Sequence, residues 1–202
     1  MDRLILCGAG HISQQVALMA QHLEFEIIVI DDQVEFANAA RFPMANQILC
    51  MSFLQALKQL GSRSGDYYAI LTRGHILDHI CLEHILQKKQ YAYVGMIGSQ
   101  SKVQASMRVL RQAGYPQEML ERIYAPIGLP IGAQTPSEIA VSILAQLVQV
   151  GARRRHGSKT PPNARGTLHT RTNQIFQDGA EPGKEPGGNI EAVFPVRRQG
   201  VR

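Results

Sequence analysis

The residues best suited to chemistry cluster in five short segments. The first is Gly8-Ala9-Gly10-His11-Ile12-Ser13, which follows an apolar run and precedes an amphipathic one. This spacing suits a phosphate-cradling turn. Gly8 permits the tight turn, Gly10 lets a pyrophosphate reach the backbone, and the small Ser13 keeps the following helix close to the sheet. Free N–H groups opening that helix would hold the anion, with His11 as a donor above it. Asp31-Asp32 close the next apolar run, where a carboxylate accepts hydrogen bonds from a ribose in dinucleotide-binding domains. Asp32 is the ribose candidate here; its plainer role would be to cap a turn.

The third segment is Thr72-Arg73-Gly74-His75, with Asp78 and His79 one turn on. His75 and Arg73 are expected to reach a ligand and Asp78 to orient one of them. His75 and His79 stand four apart, but no His-Glu-x-x-His or paired-cysteine spacing accompanies them, so no metal site is predicted. The fourth segment, Gly98-Ser99-Gln100-Ser101-Lys102, offers serines to cap a helix. It also places Lys102 in that helix's first turn, where a cation suits the dipole only if an anion binds nearby. The fifth holds Gly128 and Gly132, read as close approaches of backbone to ligand. It continues into Thr135-Pro136-Ser137-Glu138, a capping box with proline at the first helical position.

Elements that position these segments are legible as alternation. Apolar runs at 4–7, 27–30, 47–50, 67–71, 91–97 and 123–125 read as strands. Amphipathic stretches near 12–23, 52–60, 76–88, 100–113 and 136–150 read as helices. Nearly continuous apolar strands suit a parallel sheet covered on both faces. The prediction is a doubly wound α/β domain, a mostly parallel six-stranded Rossmann-like sheet in the order 3-2-1-4-5-6. All five segments then follow carboxyl ends of strands, the ligand edge of such sheets.

The 202 residues carry a net charge of +5, unevenly spread. Residues 1–151 hold 11 Lys/Arg against 12 Asp/Glu, and residues 152–202 hold 10 against 4. The predicted domain is therefore 1–151, without the basic surface of a nucleic-acid binder. The remainder, 152–202, is a basic Gly/Pro-rich tail whose composition predicts disorder. No run approaches the ~20 apolar residues of a membrane span. Cys7, Cys50 and Cys81 show no paired spacing, which argues against a disulfide scaffold and for a cytoplasmic location.

Taken with 36–43, 93–99 and 126–143, these segments resemble the xanthine dehydrogenase accessory factors, the XdhC/CoxI family, across about residues 1–150. The resemblance implies a non-catalytic maturation factor, a chaperone. It would bind molybdenum cofactor, as molybdopterin or its dinucleotide form, and assist its sulfuration by a cysteine desulfurase. It would then deliver the cofactor to a xanthine dehydrogenase-like molybdenum hydroxylase, and a homodimer is compatible with that role. Family members usually add an N-terminal domain with a Cys-Gly-Gly motif; here any role of that cysteine is either missing or supplied by another chain. They also commonly show Asp where Pro130 stands, and a more basic loop at Gln100-Ser101. The alternatives are an NAD(P)-dependent oxidoreductase and a nucleotide-sensing Rossmann module. No Tyr-x-x-x-Lys pair supports short-chain dehydrogenase chemistry.

Overall fold

The computed structural model describes residues 1–157. Five parallel strands form one sheet: β1 (Arg3–Cys7), β2 (Glu26–Asp31), β3 (Gln47–Cys50), β4 (Asp66–Ile70) and β5 (Tyr93–Met96), in the order β3-β2-β1-β4-β5. Around them lie α1 (His11–Ala20), α2 (Phe53–Leu60), α3 (His75–Lys88), α4 (Gln100–Gln112), the short α5 (Gln117–Leu120) and α6 (Pro136–Arg155). None of these helices is long and apolar enough to cross a membrane.

The sheet has five strands where six were expected. Residues 123–125 contribute one parallel bridge, from Tyr124 to Gly95, in the place of the sixth strand. Tyr124 donates its N–H to the Val94 carbonyl at 2.9 Å and accepts from the Met96 N–H at 3.0 Å. Pro126, two residues on, has no N–H with which to lengthen the ladder.

Strand alternation divides the core in two. Leu4, Leu6, Ile27, Val29, Tyr67 and Ala69 face a layer that includes Val16 and Ala17 of α1 and Ile143 and Leu147 of α6. Ile5, Cys7, Ile28, Ile30, Tyr68 and Ile70 face the other layer, with Phe53 of α2, Leu82 and Ile85 of α3, and Leu110 of α4. Each such aliphatic side chain, fully buried, contributes about 1.5–3 kcal/mol. The consequence for function lies at β1 and β4. They are neighbours in the sheet, yet α1 follows β1 over one face and α3 follows β4 over the other. The two connections part at the carboxyl ends, the position at which doubly wound sheets bind ligands.

The capping box of α6 is as expected: Thr135 Oγ1 accepts the Glu138 N–H, and the Glu138 carboxylate accepts the Thr135 N–H at 3.0 Å. The helix runs four residues past the 1–151 boundary. There Arg154 donates to the Tyr67 hydroxyl at 3.1 Å and to Asp2 at 2.9 Å. The rest of the expected tail lies outside the described residues.

Candidate functional site

The 8–13 turn joins β1 to α1 as the spacing predicts, and its two glycines have different reasons to be there. Gly8 has φ +112°, and a β-carbon on it would strike the Leu71 carbonyl. The close passage of β4's end therefore requires this glycine. Gly10, the N-cap of α1, has φ −73° and ψ −173°, a conformation open to any residue. A β-carbon there would meet nothing within 4 Å. The fold leaves open space above Gly10, and no side chain caps α1, whose first turn carries no acidic residue. Opening amides without a side-chain cap are groups that can accept an anion. Ser13 is fully buried, with its hydroxyl unpartnered. His11 is exposed beside the turn.

Asp31, the last residue of β2, is 2% exposed. Its Oδ2 accepts the Ala9 N–H at 2.8 Å, and its Oδ1 accepts the Gln33 N–H at 3.1 Å. The carboxylate thus holds the glycine turn from below. Arg73 reaches it from the β4–α3 connection: Nη2 lies 2.9 Å from Asp31 Oδ1 and 3.1 Å from Asp32 Oδ1. The same guanidinium bonds to the Gln33 side chain and stacks 4.6 Å from the Phe36 ring centroid. Asp32 itself is exposed at the rim.

Asp78 does not orient Arg73 or His75 by a hydrogen bond. Its Oδ1 accepts the Thr72 hydroxyl at 2.6 Å, because both belong to the tight opening of α3 around Gly74. Burial raises the Asp78 carboxyl above its ordinary value, opposed first by that hydroxyl and then by His75 and Lys102. Lys102 does fall in the first turn of α4, as expected. Ser99 occupies the N-cap position but makes no capping bond; its hydroxyl pairs with that of Ser101 at 3.0 Å. Gly98 precedes it at the end of β5's connection.

Gly128, expected to let a ligand approach the backbone, has a structural reason of its own. Its φ is +98°, and a β-carbon would strike the Ser142 hydroxyl of α6. Gln146 fastens the same residue at both ends, accepting the Gly128 N–H at 2.9 Å and donating to its carbonyl at 3.0 Å. Gly132 is also at positive φ, +78°, with open space around it. Among the described residues no hydrogen bond or ion pair joins this loop to the Ala9, Asp31 and Arg73 chain of contacts.

Sequence reasoning missed Arg41. From the β2–β3 connection its Nη2 donates to the Ala9 carbonyl at 3.3 Å, so it touches the glycine turn. Its Nε is buried without a partner, and its guanidinium lies 5.3 Å from the Phe36 centroid. The 36–43 block carries part of the family resemblance, but its spacing gives Arg41 no direction. Among the described residues no group of three or more His, Cys, Asp or Glu side chains could hold a metal ion.

A doubly wound parallel sheet with a glycine turn at its switch point defines a Rossmann-type domain. Residues 4–147 match the family model described as the XdhC Rossmann domain, and the chain belongs to that family. It is 38% identical over 149 residues to the uncharacterized protein YqeB of Escherichia coli, covering 73% of this chain and 27% of that one. It is 30% identical over 151 residues to a probable xanthine dehydrogenase subunit of Bacillus subtilis, covering 75% and 43%. A crystal structure of a protein described as a xanthine dehydrogenase from Bacillus halodurans superposes with a TM-score of 0.67 at 32% identity, over 79% of this chain and 45% of that one. The chain spans less than half the length of each of these relatives.

Proposed function

We propose that this chain is a molybdenum cofactor-binding maturation factor, assisting sulfuration of the cofactor and its insertion into a xanthine dehydrogenase-type hydroxylase. The cofactor is cargo here, and the chain's own residues bind and orient it. The single observation that carries the reading is the start of α1: its opening amides have no side-chain cap, and a β-carbon on its N-cap Gly10 would meet nothing within 4 Å. Family membership and the name of the Bacillus subtilis relative support the molybdenum hydroxylase context.

The opening amides of α1 would hold a phosphate group, and the Arg41 guanidinium, bonded to the Ala9 carbonyl, stands at the same turn. Bound, the cofactor supplies the molybdenum centre and pterin of the recipient enzyme. The glycine turn would hold the phosphate end, and Thr72, His75 and Asp78, which follow the neighbouring strand, would be the residues to bind the rest of the group. A cysteine desulfurase and the apo-hydroxylase are the partners this role requires.

The test is reconstitution of apo-hydroxylase with cofactor and desulfurase, with and without this protein. Faster or fuller activation in its presence, lost in Gly10→Val, is the expected result. Activation that ignores the protein overturns the reading.

A further inference from the structure

A helix on the outside of a domain ordinarily turns charged and polar residues to water. α6 departs from that. From Ile139 to Ala152 it carries no charged residue. Its inner face, with Ala140, Ile143, Leu147 and Val150, is buried in the core layer that α1 shares. A line of outer positions runs Glu138, Val141, Ala145, Val148, Ala152 and Arg155. Val141 and Val148 are 48% and 49% exposed, and the two alanines are half-buried. Steps along the line alternate three and four residues, the spacing of a seam along which two helices pack. We propose that α6 is a dimerisation face, on which a second copy of this chain lays its own α6 antiparallel about a two-fold axis.

The order of residues along the line specifies that occupant. A two-fold interface must be self-complementary. The antiparallel arrangement sets Ala145 against the partner's Val148, Val141 against the partner's Ala152, and Glu138 against the partner's Arg155. Each valine meets an alanine, which lets the helices approach closely, and each end charge meets its opposite. A parallel pair would set valine on valine and like charges at both ends, which is unfavourable. The end groups are open to this pairing. Glu138 Oε2 accepts the Gln134 and Thr135 N–H groups, and among the described residues no hydrogen bond reaches Oε1. Arg155 makes no ion pair among the described residues. Beside Glu138 lies an open cavity of about 370 Å³, walled also by Ile131, Gln134 and Val141. It has room for the partner's Arg155, with the stem on the two aliphatic side chains and the guanidinium at the carboxylate. A seam one helix wide buries little area, so the dimer is a weak one, with a dissociation constant on the order of 1–100 μM. None of these residues belongs to the glycine turn, so the dimer stands or falls independently of what that turn binds.

Sedimentation velocity of the full chain over a concentration series reads the dimer directly. The wild-type protein should pass from monomer to dimer as concentration rises. Val148→Glu puts a charge near the middle of the seam and should raise the dissociation constant at least about tenfold. Val109→Glu makes the same change at a position of α4 that is 46% exposed, and should leave the constant unchanged. Arg155→Ala should raise it roughly two- to fivefold. In a Glu138→Gln background, which keeps an acceptor for the capping box, Arg155→Ala should cause no further loss. A wild-type monomer at every concentration up to about 1 mM overturns the proposal. So does a dimer that is indifferent to Val148→Glu, or one weakened as much by Val109→Glu. Equal losses from Arg155→Ala in the two backgrounds overturn the antiparallel register, and that pair of measurements decides the matter if Val148→Glu does not fold.

Discussion

Arg3 and Asp66 form a two-pronged pair at the amino-terminal edge of the sheet, one on β1 and one on β4. Arg3 Nε donates to Asp66 Oδ1 and Nη2 to Oδ2, both at 2.7 Å, with the side chains 3% and 0% exposed. Asp66 also accepts the Arg63 N–H and the Tyr68 hydroxyl, and Arg3 reaches the Leu60 and Gly61 carbonyls. The pair sits opposite the ligand edge and ties together the two strands whose connections part at that edge. Removing one partner leaves the other buried and uncompensated. Asp66→Ala should therefore cost about 3–5 kcal/mol in chemical denaturation, and a loss under 1 kcal/mol would show that the edge relaxes around Arg3.

The two glycines of the turn should separate in a stability assay. Gly8→Ala forces a side chain into positive φ and against the Leu71 carbonyl, so it should lose more than about 1 kcal/mol. Gly10→Ala has space and an ordinary backbone, so its melting temperature should stay within about 2–4 °C of wild type, the shift 1 kcal/mol gives in a chain of this size. Equal damage from both would remove the structural ground for a ligand at Gly10.

Stability should fall with pH below about 6.5. Buried His84 has an unpartnered Nε2, and its pKa is lowered, first by burial and then by Lys88 and Lys58. A folded-state pKa below the unfolded value of about 6.5 means the unfolded chain binds the proton first. The native state loses ground as pH falls through that value. Asp78 has the opposite sign: its raised carboxyl favours the folded form as pH falls toward the ordinary carboxylate range. Melting curves from pH 8 to 5 should show the His84 loss, and His84→Gln should flatten it. An unchanged slope in that variant would assign the loss to other groups.

A cut within α6 should be felt at the far edge of the sheet. Ending the chain at Gly151 removes Arg154 and its bonds to Tyr67, Asp2 and the Ser64 carbonyl. Each contributes about 0.5–1.5 kcal/mol at most, less where solvent screens it. Thermal unfolding should place a chain ending at 151 below one ending at 157. Equal melting temperatures would mean that the last turn of α6 carries no load.

What the sequence disclosed follows from which interactions are local. Alternating apolar runs located all five strands, and the Thr135 to Glu138 box was legible because both partners sit within four residues. The glycine turn was legible for the same reason. At the sixth strand the pattern misleads: Ile123 and Tyr124 have strand-like side chains, but length depends on Pro126 and on what β5 offers. Roles set by tertiary contact do not show in the sequence. Gly128 has the look of a ligand glycine, and only the fold reveals Ser142 beneath it. Asp31 and Asp32 look alike in the sequence, and only the fold reveals that Asp31 is buried on Ala9 and Arg73 while Asp32, the ribose candidate, stays exposed. Arg41 has no local pattern to announce it.

The single bridge at Tyr124 also decides where another chain could extend this sheet. Tyr124 and Ile127 satisfy the outer groups of β5, with the Ile127 N–H donating to the Met96 carbonyl at 2.9 Å. That side is sealed against a further strand. Among the described residues no hydrogen bond reaches β3 from its outer side, so the only unsealed border of the sheet is the four-residue stretch Gln47–Cys50. An edge so short is a poor template for strand addition. Self-association through backbone pairing is disfavoured at both ends, which leaves side-chain surfaces to govern how this domain meets its partners.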